Sequence, residues 1–493
     1  MIKNIPTIFR KNLIKNPNAK VLGVKINNSW DWTDRTRLNN MISYSIDVLK
    51  DRNVNKGDRV IYKGKNSVEW LAWNIATQSV GGVWVPLYSN QKEEYCKYIV
   101  DDCNPKVLIS DDNVNYKDIN FMDNKIEDIN YENEHEVINN DLCTLIYTSG
   151  TTGNPKGVML SHENLLSNIK TVNSRFKEFK NRELTSLNIL PWAHIYGLTT
   201  ELYYNILNGN KVAISSGVDN FVKECSEIKP ELLYLVPKVL ELIKKKLNIL
   251  DKPVLRLVLP LVLKRLFGNN IITIFMGGAK LDDNTKKFYI DNGINICEGY
   301  GCSETSPMIS VNHISDPRDI NSIGKVLDGI LVDIVDNEIL VSGPNVMLGY
   351  WNNKDATDEV LVKSKGLTWY KTGDAGNKVD DFLYYNGRIS ENYKLSNGKF
   401  VNVNDTESKL KKYISNFFII YGENKPYNIL IIEKPFDESK LDIVNKNIDN
   451  YLKIEKVLYV ESHIFGDYLT PKMSIKRKKL IKYLEDDINN LYD

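Results

Sequence analysis

Short runs of β-branched and aromatic residues alternate along the chain with longer stretches that have a helical spacing of apolar positions. Near the N-terminus, Trp32–Leu49 has the spacing of an amphipathic helix that follows a pair of strands. The next segments predict strand, helix, strand, helix and strand in GDRVIYKG, VEWLAWNIATQSVGG, VWVPLY, YCKYIVDDC and KVLIS. Because parallel strands need crossover connections, this alternation predicts parallel sheets flanked by helices.

The alternation continues in the second half of the chain and then changes. Strand patterns occur in LTSLNILPW, KVAISS, LLYLV and IITIFMGG, with a helix through Leu207 after the first of them. Three later segments, EILVSGP, LTWYKTGDAG and DFLYYNGR, are separated by turn residues and predict antiparallel strands. From Arg388 onwards, short strands and lysine-rich helices replace this pattern. The sequence therefore predicts an α/β fold, with a large domain of mixed and parallel sheets over residues 1–387 and a small α+β domain over residues 388–493.

The composition is that of a soluble globular protein, and the charge excludes one class of partner. Hydrophobic residues make up 42% of the chain and charged residues 26%. With Lys+Arg 64 against Asp+Glu 63, the net charge of +1 gives no general attraction for nucleic acid. The six cysteines form no CxxC pair, so we expect a reduced, intracellular chain without structural zinc. The polar segment 115–140 is expected to be a surface connector.

The sequence predicts a cytoplasmic protein without a transmembrane segment. Its start, MIKNIPTIFRKNLIKNPNAK, lacks the apolar core of a secretory signal. The most lipophilic stretch, Pro253–Phe267, is interrupted by charged residues and a proline and is shorter than a membrane span. Two interpretations of this stretch remain open, a buried or interface helix pair and peripheral contact with a membrane. The oligomeric state is unknown from sequence.

The stretch IYTSGTTGNPKGVMLSHENL, residues 146–165, combines glycines, hydroxylated residues and one lysine between an apolar run and a helix start. It does not match the Walker phosphate loop, because Pro155 stands at the second glycine position and Lys156 is followed by Gly157. The backbone N–H groups of Ser149–Gly153 can nevertheless form an anion-binding nest, to which Lys156 adds a positive charge. From these residues alone, phosphate binding and a plain surface loop remain equally open.

The same stretch resembles the YTSGTTGxPKGV motif of the adenylate-forming superfamily, which includes acyl-CoA synthetases, luciferases and the adenylation domains of peptide synthetases. Other segments are similar to further motifs of this superfamily, in the same order: PWAHIYG, MGGAKL, EGYGCSETSP, WYKTGDAG and YNGRISENYKLSNGKFVNV. The resemblance extends over essentially the whole chain. It implies a large N-terminal domain that binds the nucleotide and the carboxylic acid, and a small mobile C-terminal domain.

The resemblance also implies ATP, Mg²⁺ and coenzyme A as ligands, and it assigns residues to them. The β- and γ-phosphates of ATP are expected to contact Thr148, Ser149, Gly150, Thr151, Thr152, Gly153 and Lys156. The adenine motifs supply Gly278, Ala279, Tyr300, Gly301 and Ser303, the last standing where threonine is usual. Glu304 is expected to bind Mg²⁺ together with Thr151. Asp374 would accept hydrogen bonds from the ribose with Arg388 behind it, and His194 would lie in the carboxylate pocket.

The C-terminal segment departs from the superfamily motifs at two positions. The resemblance places the hinge residue at Glu391, where GRISEN replaces the usual GRxKD and Ser390 stands in place of lysine. The ending LTPKMSIKRKK is similar to the LTPTxKxKR of long-chain fatty acyl-CoA synthetases, but Ser474 occupies the position of the lysine that reaches the α-phosphate and the carboxylate. Lys472 and Lys476 lie two residues to either side. Because they share a face with this position in an extended segment, both are candidate catalytic lysines.

Three functions remain open from the sequence. The first is an ATP-dependent ligase that activates a carboxylic acid, expected to be a fatty acid, as its adenylate and transfers it to coenzyme A. The second is the loading of an aryl or amino acid onto a carrier protein, although WAHI lacks the aspartate that amino-acid substrates usually need. The third is a protein that binds nucleotide or acyl adenylate without catalysis, which Ser390 and Ser474 motivate. No motif reports the length of the acyl chain.

Overall fold

The computed structural model describes residues 4–111, 122–123, 142–148, 154–247, 257–315, 318–469 and 475–492. The chain divides into two compact units. The larger one contains most of the chain before Leu331 together with Val341–Tyr370, and the smaller one contains Val332–Leu340 and the chain from Lys371 onwards. Both units mix helices and strands. The domain boundary that the sequence predicts at Arg388 stays a prediction.

Helices occur throughout the described part of the chain. In the larger unit the α-helices are Ile5–Lys15, Arg35–Asp51, Val68–Ser79, Glu93–Cys103, His162–Arg175, Tyr204–Leu207, Phe221–Ile228, Pro237–Leu247, Leu259–Leu266, Asp283–Asp291 and Lys354–Val360. In the smaller unit they are Val403–Leu410, Ser439–Lys446, Ser462–Asp467, Arg477–Tyr483 and Glu485–Tyr492. A π-helix spans Tyr196–Tyr203, and short 3₁₀ helices span Lys177–Phe179, Ser303–Thr305, Ile389–Glu391 and Asn450–Leu452.

The strands are numbered in chain order. They are β1 (Lys20–Ile26), β2 (Ser29–Asp34), β3 (Arg59–Gly64), β4 (Val83–Tyr88), β5 (Val107–Ser110), β6 (Met122–Asp123), β7 (Leu142–Thr148), β8 (Lys156–Ser161), β9 (Thr185–Asn188), β10 (Lys211–Ile214), β11 (Leu232–Leu235), β12 (Thr273–Met276), β13 (Ile296–Gly301), β14 (Met308–Val311), β15 (Lys325–Val326), β16 (Leu331–Val335), β17 (Glu338–Ser342), β18 (Gly349–Tyr350), β19 (Leu361–Ser364), β20 (Leu367–Val379), β21 (Phe382–Arg388), β22 (Tyr393–Lys394), β23 (Phe400–Val401), β24 (Phe418–Tyr421), β25 (Asn428–Glu433) and β26 (Ile454–Val460).

The larger unit is built on two sheets with parallel centres. In one, the strand order is β15-β14-β13-β12-β11-β9-β10-β1-β2, and the strands from β13 to β1 pair in parallel. In the other, the order is β18-β8-β7-β4-β3-β5-β6, with β8 and β18 antiparallel at one edge. The predicted alternation from GDRVIYKG to KVLIS is confirmed, because β3, β4 and β5 are parallel and helices connect them. Their apolar side chains pack against the helix Glu93–Cys103 through Cys96 and Ile99.

The helix that the sequence predicts from Trp32 begins three residues later, because Trp32 belongs to β2. Trp32 pairs with Gly23 of β1, and its indole covers that glycine so closely that an added Cβ would lie 2.9 Å away. The helix begins at Arg35 because the side chain of Asp34 caps it, accepting a hydrogen bond from the N–H of Arg37 at 2.8 Å. The pairing of two strands thus overrides the helical periodicity in front of the cap.

Among the described residues, three groups of paired strands lie wholly or mostly in the smaller unit. Their orders are β16-β17-β20-β21, β22-β23 and β24-β25-β26. The predicted hairpin of LTWYKTGDAG and DFLYYNGR is confirmed, since β20 and β21 are antiparallel with Val379 opposite Phe382. The buried guanidinium of Arg477 pairs with Glu407 and donates to the carbonyl of Ile420 at 2.9 Å. This contact ties the helix Arg477–Tyr483 to β24 within the unit.

The lipophilic segment Pro253–Phe267 is described only from Leu257 onwards. It forms the helix Leu259–Leu266, in which Leu263 is buried while Leu261 is 69% exposed, and the preceding Leu257 is 83% exposed. The described part is therefore amphipathic. Across the described ranges, no helix has the length and apolar character needed to cross a membrane. The connector predicted at 115–140 lies outside the described residues, apart from Met122–Asp123.

Candidate active site

The glycine-rich loop connects two antiparallel strands, whereas the sequence suggested a connection from an apolar run to a helix. Thr148 ends β7 and lies directly opposite Lys156, which begins β8. The helix starts only at His162, after β8. Residues 149–153, namely Ser149, Gly150, Thr151, Thr152 and Gly153, lie outside the described residues, so their contact with phosphate stays a prediction. The structure shows that the two predicted phosphate ligands at the base of the loop are neighbours.

Tyr350 joins two of the predicted site residues. Its hydroxyl donates a hydrogen bond to Oε1 of Glu304 at 2.9 Å, and the ammonium of Lys156 lies 4.9 Å from the centroid of its ring. The pairing of β18 with β8 brings Tyr350 opposite Val158, two residues after Lys156. Burial, and then the charge of Glu304, raises the pKa of Tyr350, so the phenol keeps the proton that it donates. Sequence reasoning missed Tyr350, which stands outside the motifs used.

Glu304 is the residue that the resemblance assigns to Mg²⁺. It is half-buried in the 3₁₀ helix Ser303–Thr305, in which Ser303 is buried. Mg²⁺ in phosphate chemistry usually binds one or two carboxylates together with substrate phosphates and water. Within the described ranges, no group of three or more His, Cys, Asp or Glu forms an all-protein metal site. A single carboxylate that Tyr350 joins to the predicted phosphate lysine is compatible with a Mg²⁺ ion that arrives with the nucleotide, and this role stays a prediction.

The predicted adenine residues lie at the carboxyl ends of two neighbouring parallel strands. Gly278 and Ala279 follow β12 and are exposed, while Tyr300 and Gly301 end β13 and are half-buried. Gly301 has no room for a side chain, since an added Cβ would lie 1.7 Å from the carbonyl oxygen of Pro307. Because open α/β sheets bind ligands beyond the carboxyl ends of their strands, this position suits a nucleotide.

A buried ion pair connects the two segments that carry the predicted adenine residues. Glu298 on β13 is 1% exposed and pairs with Lys286, which is 2% exposed. The Oε1 atom of Glu298 accepts a hydrogen bond from the N–H of Leu281 at 2.8 Å, and Lys286 also donates to the carbonyl of Ile320 at 2.6 Å. Burial raises the pKa of Glu298 in spite of the lysine. The pair thus links β13 to the chain just after Ala279, and no sequence signal marked it.

His194 lies in the turn between β9 and the π-helix. Its ring is half-buried, and Nδ1 accepts a hydrogen bond from the N–H of Tyr196 at 3.1 Å. The hydroxyl of Tyr196 donates to the carbonyl of Phe275 on β12 at 3.0 Å. This contact holds the beginning of the π-helix beside the strand that leads to Gly278. π-helices are rare and often mark functional sites.

All six cysteines are described, and none of them forms a disulfide. Cys302 is half-buried and stands next to Ser303, whereas the other five are buried. Burial raises the pKa of four of these buried thiols to about 12, in Cys103, Cys143, Cys225 and Cys297. The thiol within the nucleotide motif is therefore the most accessible one.

In the smaller unit, Asp374 and Arg388 face each other on β20 and β21. Arg388 Nε lies 3.0 Å from Asp374 Oδ1, and another nitrogen of the guanidinium donates to the carbonyl of Thr372 at 2.9 Å. The side chain of Asp374 is 6% exposed. Glu391, the predicted hinge residue, lies three residues later in the 3₁₀ helix Ile389–Glu391 and is half-buried. Arg388 thus contacts Asp374, and the role of this pair towards the ribose stays a prediction.

Lys476 is the one described residue of the two candidate catalytic lysines. It precedes the helix Arg477–Tyr483, is half-buried, and donates its backbone N–H to the carbonyl of Tyr468 at 2.7 Å. Lys472 and Ser474 lie outside the described residues. Which lysine serves the reaction therefore stays a prediction.

Comparisons with known proteins agree with these motifs. The model of the AMP-binding enzyme family matches residues 9–351. The long-chain-fatty-acid–CoA ligase FadD15 of Mycobacterium bovis is 26% identical over 471 residues, covering 80% of this chain and 76% of that protein. The human long-chain-fatty-acid–CoA ligase ACSBG1 is 27% identical over 523 residues, covering 87% of this chain and 70% of that protein.

Solved structures share the fold. ATP-bound MatB from Rhodopseudomonas palustris matches with a TM-score of 0.80 at 20% identity, covering 100% of both chains. The o-succinylbenzoate coenzyme A synthetase MenE from Bacillus subtilis, in complex with ATP and magnesium, matches with a TM-score of 0.79 at 21% identity, covering 96% of this chain and 98% of that one. The predicted α/β fold class, with a large sheet-rich domain flanked by helices, is thereby confirmed.

The fold and the motifs define an adenylate-forming enzyme. The family match extends over more than half of the chain, and the chain belongs to the AMP-binding enzyme family. It is an AMP-forming acyl-CoA synthetase, an acid–thiol ligase that uses ATP, Mg²⁺ and coenzyme A.

Proposed function

We propose that the chain activates a fatty acid as its acyl adenylate and then transfers the acyl group to coenzyme A. The cluster of Lys156, Tyr350 and Glu304 carries the proposal, because it combines a cation for phosphate with a carboxylate for a metal ion. The fatty acid as substrate is supported by relatives that are named long-chain-fatty-acid–CoA ligases.

In the first half-reaction, the acid carboxylate attacks the α-phosphorus of ATP and pyrophosphate leaves. The reaction brings several negative charges together, so positioning and neutralisation of charge provide most of the catalysis. Lys156 binds the phosphates from the base of the loop, and Glu304, held by Tyr350, would bind Mg²⁺. When bound, Mg²⁺ neutralises charge on the departing pyrophosphate. Asp374 accepts hydrogen bonds from the ribose, with its carboxylate oriented by Arg388.

In the second half-reaction, the thiol of coenzyme A attacks the acyl carbonyl and AMP leaves. The superfamily achieves this by rotating its small domain about the hinge residue, which is Glu391 here. A glutamate at the hinge provides the acidic side chain of the usual motif with one more methylene group. Lys472 or Lys476 is expected to contact the α-phosphate in the adenylation step.

The test is the exchange of radiolabelled pyrophosphate into ATP with Mg²⁺, across fatty acids of several chain lengths, short-chain acids and aryl acids. We expect exchange that depends on a fatty acid, and thioester formation when coenzyme A is added. Lys156→Met should abolish exchange, and Lys170→Met provides a matched control, because Lys170 is exposed on the helix His162–Arg175. Exchange that occurs only with aryl acids would show that the substrate is an aryl acid and not a fatty acid. Binding of ATP without exchange for any acid would contradict the proposal that the chain is a catalyst.

The same assay identifies the catalytic lysine. Lys472→Ala and Lys476→Ala are compared with Ser474→Lys. Loss of exchange in one alanine variant assigns the role to that lysine. A gain of activity in Ser474→Lys would show that the missing lysine limits the reaction.

A further inference from the structure

Three side chains from separate elements hold the turn of residues 190–194, here called the histidine turn. Asn66 Nδ2 donates to Oδ1 of Asn188 and to the carbonyl of Leu190, both at 2.7 Å. Asn188 Nδ2 donates to the same carbonyl at 2.9 Å and to Oε2 of Glu201, on the π-helix, at 2.5 Å. The network therefore connects the beginning of the helix Val68–Ser79, the end of β9 and the π-helix.

Backbone groups of the histidine turn complete the network. The N–H of Trp192 donates to Oδ1 of Asn66 at 2.9 Å. The N–H of His194 donates to the carbonyl of Pro191 at 3.1 Å, and the ring of His194 accepts from the N–H of Tyr196. The entry to the turn, its middle and the imidazole are thus fixed by successive hydrogen bonds.

Glu201 occupies an unusual position for a carboxyl group. It is 0% exposed, and its Oε1 has no hydrogen-bond partner within the described part of the chain. Burial raises the pKa of Glu201 well above its usual range, although the hydrogen bond from Asn188 opposes this shift. Burial therefore favours the neutral acid over the carboxylate at this position. Its contribution to the network is a neutral oxygen that accepts from Asn188, and a glutamine side chain offers the same oxygen.

We propose that Glu201, acting through Asn188 and Asn66, is a positioning residue that sets the histidine turn for binding the acid substrate. Its effect on catalysis rests on the proposed function, while its effect on the turn does not. A displacement of about 1 Å in a substrate-positioning segment can reduce the rate by about a hundredfold. Loss of the network is expected to raise the KM for the acid about tenfold or more, with little change in the KM for ATP.

The experiment compares two substitutions that separate the accepting oxygen from the charge. Glu201→Gln keeps a neutral acceptor, and Glu201→Leu removes it at similar size. Tyr203→Phe is the matched control, because it deletes a buried hydroxyl on the same π-helix that contacts Asn74 and Gln78 instead of the histidine turn. KM and kcat are measured for acid and ATP. Hydrogen–deuterium exchange of residues 190–196 is measured in the free protein.

We expect Glu201→Gln to keep the wild-type KM for the acid and the wild-type hydrogen exchange of the histidine turn. Glu201→Leu should raise the KM for the acid and speed hydrogen exchange in the histidine turn, and Tyr203→Phe should do neither. Asn66→Ala, at a half-buried position, is expected to reproduce the effect of Glu201→Leu and provides a second variant if the leucine variant does not fold.

Three results would overturn the proposal. The first is unchanged hydrogen exchange of the histidine turn in both Glu201→Leu and Asn66→Ala. The second is a rise in the KM for the acid in Tyr203→Phe as large as that in Glu201→Leu. The third is a KM for the acid in Glu201→Gln as high as that in Glu201→Leu. A wild type that uses no acid would instead contradict the proposed function. The hydrogen-exchange comparison would still decide whether the network holds the turn.

Discussion

Removal of the Tyr350 hydroxyl should displace the carboxylate of Glu304 while the aromatic ring stays over Lys156. Tyr350→Phe deletes the 2.9 Å hydrogen bond and leaves the ring in place. Hydrogen bonds to charged groups contribute about 1.5–3 kcal/mol. Because Glu304 is half-buried and water can replace part of the lost bond, about 1–2 kcal/mol is expected, which corresponds to a factor of about 5–30 in binding.

The assay is acid-dependent pyrophosphate exchange, measured against the concentration of Mg²⁺. Tyr350→Phe should raise the Mg²⁺ concentration for half-maximal exchange by this factor. Binding of ATP without metal should change little. Tyr350→Leu also removes the ring from Lys156, whose cation–π contact contributes about 0.5–2 kcal/mol. We therefore expect the leucine variant to bind metal-free ATP more weakly than the phenylalanine variant.

Tyr147→Phe is the matched control for this series. Tyr147 lies in the same sheet, and its hydroxyl donates to Oδ2 of Asp102 at 2.6 Å, so the substitution also deletes a tyrosine–carboxylate hydrogen bond. It should leave the Mg²⁺ dependence unchanged. If Tyr350→Phe and Tyr147→Phe give the same Mg²⁺ curve as the wild type, Tyr350 does not position the metal ligand, and the reasoning is refuted.

Three further predictions concern stability. Lys286→Met should destabilise the chain to urea by about 3–5 kcal/mol, because it leaves Glu298 buried without its cation, and the double variant with Glu298→Gln should recover much of this loss. Burial lowers the pKa of His162 to about 4, so the unfolded state binds its proton first as the pH falls from 6.5. Acidification from pH 6.5 to 4 should therefore cost about 3 kcal/mol, and thermal unfolding of His162→Gln should show a smaller loss. The raised pKa of Glu201 has the opposite effect on stability: the free energy of unfolding falls as the pH rises above the pKa of this group in the unfolded state. Glu201→Gln should match the wild type near pH 4 and exceed its unfolding temperature by pH 8, and equal pH profiles would contradict a protonated Glu201.

Much of the fold could be predicted because local pattern and final pairing agree. The strand and helix from GDRVIYKG to VWVPLY are bounded by turn residues, and burial in a parallel sheet leaves their apolar runs intact. The start of the second helix was misplaced because Trp32 fits both a helical stripe and a strand. The pairing of Trp32 with Gly23 places Trp32 in a strand. The local spacing of apolar residues around either position does not indicate this contact.

The contacts that organise the site could not be predicted in the same way. Lys156 and Glu304 were identified through motifs, but the tyrosine that joins them comes from a two-residue strand far along the chain. Glu201 resembles an ordinary polar residue in LTTELYYN, and its burial emerges only when the π-helix packs against β9. Contacts between segments distant in sequence create the surroundings of both Tyr350 and Glu201. Composition and local spacing therefore do not predict them.

The half-exposed thiol of Cys302 allows ligand binding at the nucleotide motif to be followed by thiol labelling, without a substrate acid. A maleimide or iodoacetamide reagent should modify Cys302 before the five buried cysteines, four of which also hold their protons tightly. Because Cys302 is adjacent to Ser303 and Glu304, bound ATP should slow the labelling. The rate of Cys302 labelling at increasing ATP concentrations therefore gives a dissociation constant for ATP, even before a substrate acid has been found.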